Sequence, residues 1–217
     1  MNKSVTLFGS SGLIGGEILK LLINDNYFEN INVVSRKRNN IYSKKIKNYT
    51  IDFSNIDDYK NIINKDHIVI ASIGTTQSKV NFNKIEYRKV DYDILLNIAV
   101  ACKSNKAASL CFISSVGADE KSKNFYLKLK GEIENSILKI GLTSCLIFRP
   151  SLLLGKRNEF RFGEAIGQKI MPLFSFLMKS EYKPIKAADV ARSVVNECKK
   201  TVSGNKIYHY SEMKNLN

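Results

Sequence analysis

The sequence predicts a doubly wound α/β fold, a parallel sheet with helices on both faces, in a single domain over residues 1–217. Three observations carry this. Short apolar runs alternate with helix-like segments along the whole chain, and strands separated by helices pair in parallel, because the crossover needs the helix's length. Glycines at 9, 12, 15 and 16 stand where the first apolar run hands over to the first amphipathic one. The 217 residues, 44% hydrophobic and undivided by a linker or repeat, suffice for one sizeable core.

The elements follow in order. "SVTLFG" (4–9) reads as the first strand and "GGEILKLLINDN" (15–26) as a helix, with Ile18, Leu19, Leu22 and Ile23 on one face. "NINVVSR" (30–36) and "KNYTIDF" (47–53) are the next strands, and "IDDYKNIIN" (56–64) is a short helix. "HIVIASIG" (67–74) is a continuous buried strand, followed by one long helix over 89–105. "SLCFISSVG" (109–117) is a strand, and 126–141 is a helix ending at a glycine cap, Gly141. "TSCLIFRPSLLLG" (143–155) is strand, then loop. Helices are predicted over 162–179 and 187–200, the latter with Asp189 in its first turn, and a late strand over 206–210. The stretch 146–217 is expected to complete the substrate side.

"GSSGLIG" spaces Gly9, Gly12 and Gly15 as G-x-x-G-x-x-G between strand and helix. Gly9 can take a tight turn closed to other residues. Gly12 can let a ligand approach the main chain, and Gly15 can let the helix pack closely on the strand. A helix start offers unpaired N–H groups and a positive dipole end, which suit a pyrophosphate. Placed on the first strand, the motif reads as a Rossmann-like dinucleotide corner of Gly9, Ser10, Ser11, Gly12, Leu13, Ile14 and Gly15. The plain alternative is a βα turn that binds nothing.

An NAD-preferring site carries an acidic residue at the end of the second strand. Here the run is Ser35, Arg36, Lys37 and Arg38. Cations there suit the 2′-phosphate of NADPH, so NADPH is expected to be preferred over NADH. Arg36 is the first choice, because guanidinium meets phosphate oxygens in two-point fashion, and Lys37 follows it. Asp52 can accept from the adenine amino group with Phe53 beside the ring, and the backbone of Ile73, Gly74 and Thr75 can line a ribose.

Tyr126 and Lys130 are one helical turn apart and share a face. Ser114 and Ser115 end the strand before them. For carbonyl reduction, Tyr126 would donate a proton to the forming alkoxide. Lys130 would make that proton easier to give up and hold the nicotinamide ribose, and Ser115 would hydrogen-bond the carbonyl oxygen. In a chain rich in Tyr and Lys the pair alone means little; its position behind the glycine turn gives it weight.

With these residues in place, the chain resembles the atypical short-chain dehydrogenases/reductases and, more narrowly, the Tat-interacting-protein-like oxidoreductases. The resemblance runs from about residue 3 to 200. It is carried by "TLFGSSGLIG", "VSRKR", "IDFSNIDDY", "SIGTTQSK", "KVDYDILLNIA", "SSVGADEKSKNFYLKLKGEIE" and "FRPSLLLGKRNEFRFGE". It implies a Rossmann fold and NADPH binding through the glycine loop, Arg36, Tyr126, Lys130, Leu153 and Arg161, with Arg149 and Pro150 shaping the nicotinamide end. It departs from many members in two ways. Where an Asn supports a proton relay, the nearest candidates are Asp91 and Asn97, and the Ser-to-Tyr spacing is short. Some atypical members act as cofactor-binding redox sensors or scaffolds, so a non-catalytic regulator is the rival reading.

The net charge is +14, with a basic concentration at 36–47, but Lys, Asn and Ile are abundant throughout. No nucleic-acid partner is expected, although a salt-dependent grip on any duplex is what that stretch would give. No apolar run reaches the roughly 20 residues of a membrane span, and no signal-peptide pattern opens the chain, so a cytoplasmic location without integral membrane contact is expected. Cys102, Cys111, Cys145 and Cys198 read as buried free thiols. With only His67 and His209 and no paired cysteines, no zinc site is expected. The apolar stretch 166–178 reads as core or lid.

Overall fold

The computed structural model describes residues 3–155, 180–200 and 202–216. Its main sheet has seven strands: β1 (Lys3–Phe8), β2 (Phe28–Ser35), β3 (Ile46–Thr50), β4 (Ile68–Ala71), β5 (Ser109–Ile113), β6 (Ser144–Phe148) and β9 (Gly204–Tyr208). They lie in the order β3-β2-β1-β4-β5-β6-β9, and every neighbouring pair is parallel. Strand order reverses between β1 and β4, so a crevice opens at their carboxyl ends, where such sheets take their ligands. Two short strands, β7 (Leu153–Leu154) and β8 (Ile185–Lys186), pair apart from the sheet.

Each face of the sheet is covered by helices that bury one apolar stripe. On one side α1 (Leu13–Asn24) and α6 (Ala187–Cys198) place Ile14, Ile18, Leu22, Val190 and Val194 against Val5, Leu7 and Val33. On the other, α2 (Ile56–Ile62), α4 (Ile94–Ser104) and α5 (Phe125–Ile140) pack Tyr59, Ile98, Ile133 and Ile137 against Phe8, Val69 and Phe112. The central strands β4 and β6 are buried along their whole length, as expected for a parallel sheet covered on both faces. All four cysteines are free and buried.

The helix that carries Tyr126 and Lys130 is fixed at both ends. Asn124 Oδ1 accepts from the amides of Tyr126 (2.9 Å) and Leu127 (3.1 Å), which satisfies two orphan donors of the first turn. Gly141 closes the helix in the left-handed conformation at φ +68°, as its sequence position predicts.

The expected single helix over 89–105 is two pieces, preceded by a third. Asn83 caps an earlier start, α3 (Lys84–Arg88), and a single π-helical turn, Lys89–Asp93, joins it to α4. The strands expected over 67–74 and 109–117 stop at Ala71 and Ile113, where the chain leaves the sheet to form the site. The late strand lies at 204–208 and is followed by an unforeseen short helix, α7 (Tyr210–Asn215), which buries Met213. The expected helix over 162–179 and Arg161, expected to bind cofactor, lie outside the described residues.

Candidate functional site

The glycine corner joins β1 to α1 at the point of strand reversal. Gly9 sits at φ +84°, and a Cβ there would stand 2.3 Å from the Ser72 carbonyl oxygen at the end of β4. A Cβ on Gly15 would stand 2.0 Å from the Gly9 oxygen. Gly15 therefore lets the helix close on the turn itself rather than on the strand. Gly12 differs from both: its backbone is extended (φ −78°, ψ 169°), its residue is exposed, and a Cβ would lie 3.3 Å from its nearest neighbour, Gly9 O. The fold requires Gly9 and Gly15, whereas at position 12 a methyl would be a tight fit that a small shift of the Gly9 carbonyl relieves. Among the described residues no side chain caps α1, and its first turn holds no acidic residue, so its positive end lies beside Ser11 and Gly12, both exposed. Ser10 and Ile14 are buried beneath this surface, and Leu13 is half-buried with its methyls against Gly155.

Arg36 and Lys37 follow β2 and are exposed. The turn beneath them is tied by Ser35 Oγ, which donates to the Lys37 carbonyl at 2.7 Å. Asp52 is exposed and accepts from the Ser54 amide at 2.9 Å, a bond that lowers its pKa. Phe53 is not free to flank a ligand on both sides, because its ring leans on Phe8 (6.3 Å) and Tyr59 (5.9 Å).

The strand end after β4 is more committed than its sequence implies. The Thr75 amide donates to Asp91 Oδ2 at 2.7 Å, and the Thr75 carbonyl accepts from the Tyr87 hydroxyl at 3.2 Å. Gly74 remains exposed, and Ile73 packs into the core.

Tyr126 is half-buried, edge-on to Tyr87 with ring centres 6.5 Å apart. Lys130, one turn on, is buried, with its Nζ 5.8 Å from the centre of the Tyr126 ring. The ammonium is paired with Asp91 Oδ1 at 2.9 Å, and Asp91 is itself only 2% exposed. Burial opposes the charge on Lys130, but Asp91, Tyr126 and Glu134 together outweigh it and raise the lysine's pKa. Asn97, the other relay candidate, faces Tyr59 instead.

The two serines part company. Ser114 is buried and its hydroxyl donates to Glu134, so it is not available to a carbonyl substrate. Ser115 is half-buried and donates at 3.2 Å to the carbonyl of Val116 beside it. Glu134 also holds Arg149, whose Nε lies 3.1 Å and 3.2 Å from its two oxygens. The Arg149 guanidinium is thus spent inside the protein, and it shapes the site through Glu134 and Ser114. Leu153 lies half-buried in β7, packed against the core.

Sequence reasoning passed over Glu134 and Gly131. Glu134 had a signal: a charge one turn beyond Lys130 on the buried face of the helix. A Cβ on Gly131 would stand 2.2 Å from the Glu120 amide nitrogen, so the loop after β5 lies directly on the helix beside Lys130.

A corner shaped this way is what a dinucleotide-binding family needs, and the comparisons agree. The sequence pattern of the NAD(P)H-binding family matches residues 9–158. The chain belongs to that family. Among curated proteins it is 28% identical to Protein FMP52, mitochondrial, of Candida albicans, over 93% of this chain and 90% of that one. It is 28% identical to rat Protein HTATIP2, over 94% and 84%. To the mitochondrial fmp52 protein of Emericella nidulans it is 31% identical, over 76% and 73%. These relatives bear out the resemblance to the atypical short-chain dehydrogenases/reductases. Among solved structures, UDP-N-acetylglucosamine 4-epimerase from Methanobrevibacter ruminantium aligns with a TM-score of 0.73 at 17% identity, over 96% of this chain and 76% of that one. Alfalfa vestitone reductase aligns at 0.67 and 18% identity, over 94% and 75%. At such identities these two speak for the fold. No helix among the described residues is long and apolar enough to cross a membrane.

Proposed function

We propose that this protein binds NADPH in preference to NADH and reduces a small carbonyl compound. The observation that carries the reading is the contrast within the glycine corner: Gly12 is exposed at a helix start without a side-chain cap, and a side chain there meets far less of the fold than one at Gly9 or Gly15. A diphosphate would fit there, against the main-chain amides of residues 13–15 and the positive end of α1, while the Gly12 amide is held by the Gly9 carbonyl. Arg36, with Lys37 beside it, would meet a 2′-phosphate, and Asp52 the adenine amino group. Bound NADPH would supply the hydride. Tyr126 would give the proton to the nascent alkoxide, Lys130 would hold the ribose, and Ser115 rather than Ser114 would hydrogen-bond the carbonyl oxygen. Leu153, Arg149 and Arg161 would serve the nicotinamide and substrate side, which residues 146–217 would complete.

A second reading, a non-catalytic NADPH-binding sensor, has one observation in its favour. Asp91 offsets the Lys130 charge that Tyr126 would draw on. Turnover of NADPH with a panel of small aldehydes and ketones, wild type against Tyr126→Phe, separates the two. Substrate-dependent oxidation that Tyr126→Phe abolishes supports the enzyme; tight NADPH binding with no turnover in either protein supports the sensor. A cytoplasmic location stands as a proposal beside the mitochondrial names of the fungal relatives, and cell fractionation tests it.

A further inference from the structure

One buried carboxylate lies between the two halves of this site. Asp91 belongs to the π-helical turn Lys89–Asp93, and such turns re-aim a side chain by inserting one residue into a helix. Its oxygens are divided: Oδ2 accepts from the Thr75 amide at 2.7 Å, and Oδ1 meets Lys130 Nζ at 2.9 Å. Thr75 belongs to the strand end that would face the ribose, and Lys130 to the helix that carries Tyr126. We propose that Asp91 is a positioning residue for the reaction, a single clasp that sets the β4 end against the Tyr126–Lys130 helix and keeps the ammonium aimed and charged. The inference rests on the dinucleotide reading above.

The charged and titratable groups around Lys130 are few. Asp91 faces it from the π turn. Tyr126 and Glu134 face it from its own helix, and Glu134 is already occupied by Arg149 and Ser114. Asp91 is therefore the one carboxylate among these that pairs directly with the ammonium. Without it the cation would be buried with no adjacent counter-charge, a state that proteins avoid by releasing the proton. Asn at this position keeps an acceptor for the Thr75 amide and removes the charge alone, which separates scaffold from electrostatics.

The test follows the Lys130 side chain by NMR in ¹³C-lysine-labelled full-length protein, with Lys130→Arg assigning its signal. In the wild type its titration midpoint should lie above the ordinary lysine value of about 10.4. In Asp91→Asn it should fall by one pH unit or more. Titrations with NADPH between pH 7 and 9.5 should give a steady wild-type affinity, and an Asp91→Asn affinity that weakens about twofold or more toward the alkaline end. A midpoint or pH dependence unchanged in Asp91→Asn overturns the proposal. If Asp91→Asn does not fold, the wild type decides: a held ammonium exchanges slowly and shows a ¹H–¹⁵N signal at neutral pH, and no such signal for Lys130 overturns it. If the wild type binds no NADPH at any pH, the dinucleotide reading fails and the positioning role with it, while the Lys130 midpoint still reports whether the clasp exists.

Discussion

Three substitutions in one turn separate what the glycine corner does for the fold from what it does for a ligand. In Gly15→Ala the new methyl would lie 2.0 Å from the Gly9 oxygen and 2.8 Å from its carbonyl carbon. The turn must shift by about 1 Å or more to restore van der Waals contact. Overpacking of this kind costs about 1–3 kcal/mol, sometimes more, against a helix-propensity gain of about 1 kcal/mol. At the upper end of that range the net loss is about 2 kcal/mol, which lowers Tm by roughly 4–8 °C in a chain of this size. Gly9→Ala adds strain at φ +84° to a 2.3 Å clash with Ser72 O and should be worse. In Gly12→Ala the methyl lies 3.3 Å from Gly9 O on ordinary backbone. There the weaker N-cap costs at most about 1 kcal/mol, and the stiffer unfolded chain returns about 0.4–1 kcal/mol. Thermal melts by circular dichroism should therefore place Gly12→Ala within about 3 °C of wild type. In nicotinamide-fluorescence titrations its NADPH affinity should fall tenfold or more, which is about 1.4 kcal/mol. A Gly12→Ala protein that binds NADPH normally would refute the close approach of ligand to main chain. One that melts as low as Gly15→Ala would make Gly12 structural.

Other outcomes follow from the same geometry. Arg36→Ala should weaken NADPH about 10- to 100-fold and leave NADH unchanged, since a hydrogen bond to a charged group contributes about 1.5–3 kcal/mol; equal wild-type affinities for the two would sink the role given to Arg36. Glu134→Ala leaves the Arg149 guanidinium without its carboxylate and Ser114 without its acceptor, and should cost about 3–5 kcal/mol in chemical denaturation. Asp25 pairs with Lys199 between the ends of α1 and α6. Burial raises its pKa, but the bonds from Lys199 and the Tyr27 amide and the nearby Lys45 charge lower it further. A depressed folded-state value means stability present above the ordinary aspartate pKa of about 3.9 and lost as pH falls through the folded value. Denaturation of Asp25→Asn should thus show a deficit against wild type at pH 7 that closes as pH falls through the lowered folded-state value; a deficit independent of pH would contradict the pairing.

The sheet was legible because its signals are local. Strand and helix runs alternate, Gly9 announces a turn that only glycine fits, and Gly141 marks the end of the helix that carries the Tyr–Lys pair. Buried strands such as Ile68–Ala71 read as continuous apolar runs, and only their length was overestimated, since Ile73 is apolar for packing outside the sheet. What escaped depends on contacts distant in sequence. Nothing around residue 91 says that a helix will insert an extra residue to bring a carboxylate onto Lys130. Nor does the repeated serine say which hydroxyl Glu134 will claim. The π turn also hid α3, because a single amphipathic period fitted to 89–105 cannot register a change of pitch.

The contact at Gly131 limits how this protein can vary. Main chain rests on main chain there, with no side chain to act as a cushion, so the span from Ser115 to Asn124 has one length and one path. A longer span would have to bulge away from α5 or push the start of that helix, and Tyr126 with it, out of place. On this flank, insertion of residues between β5 and α5 is therefore not tolerated without moving the Tyr126–Lys130 helix.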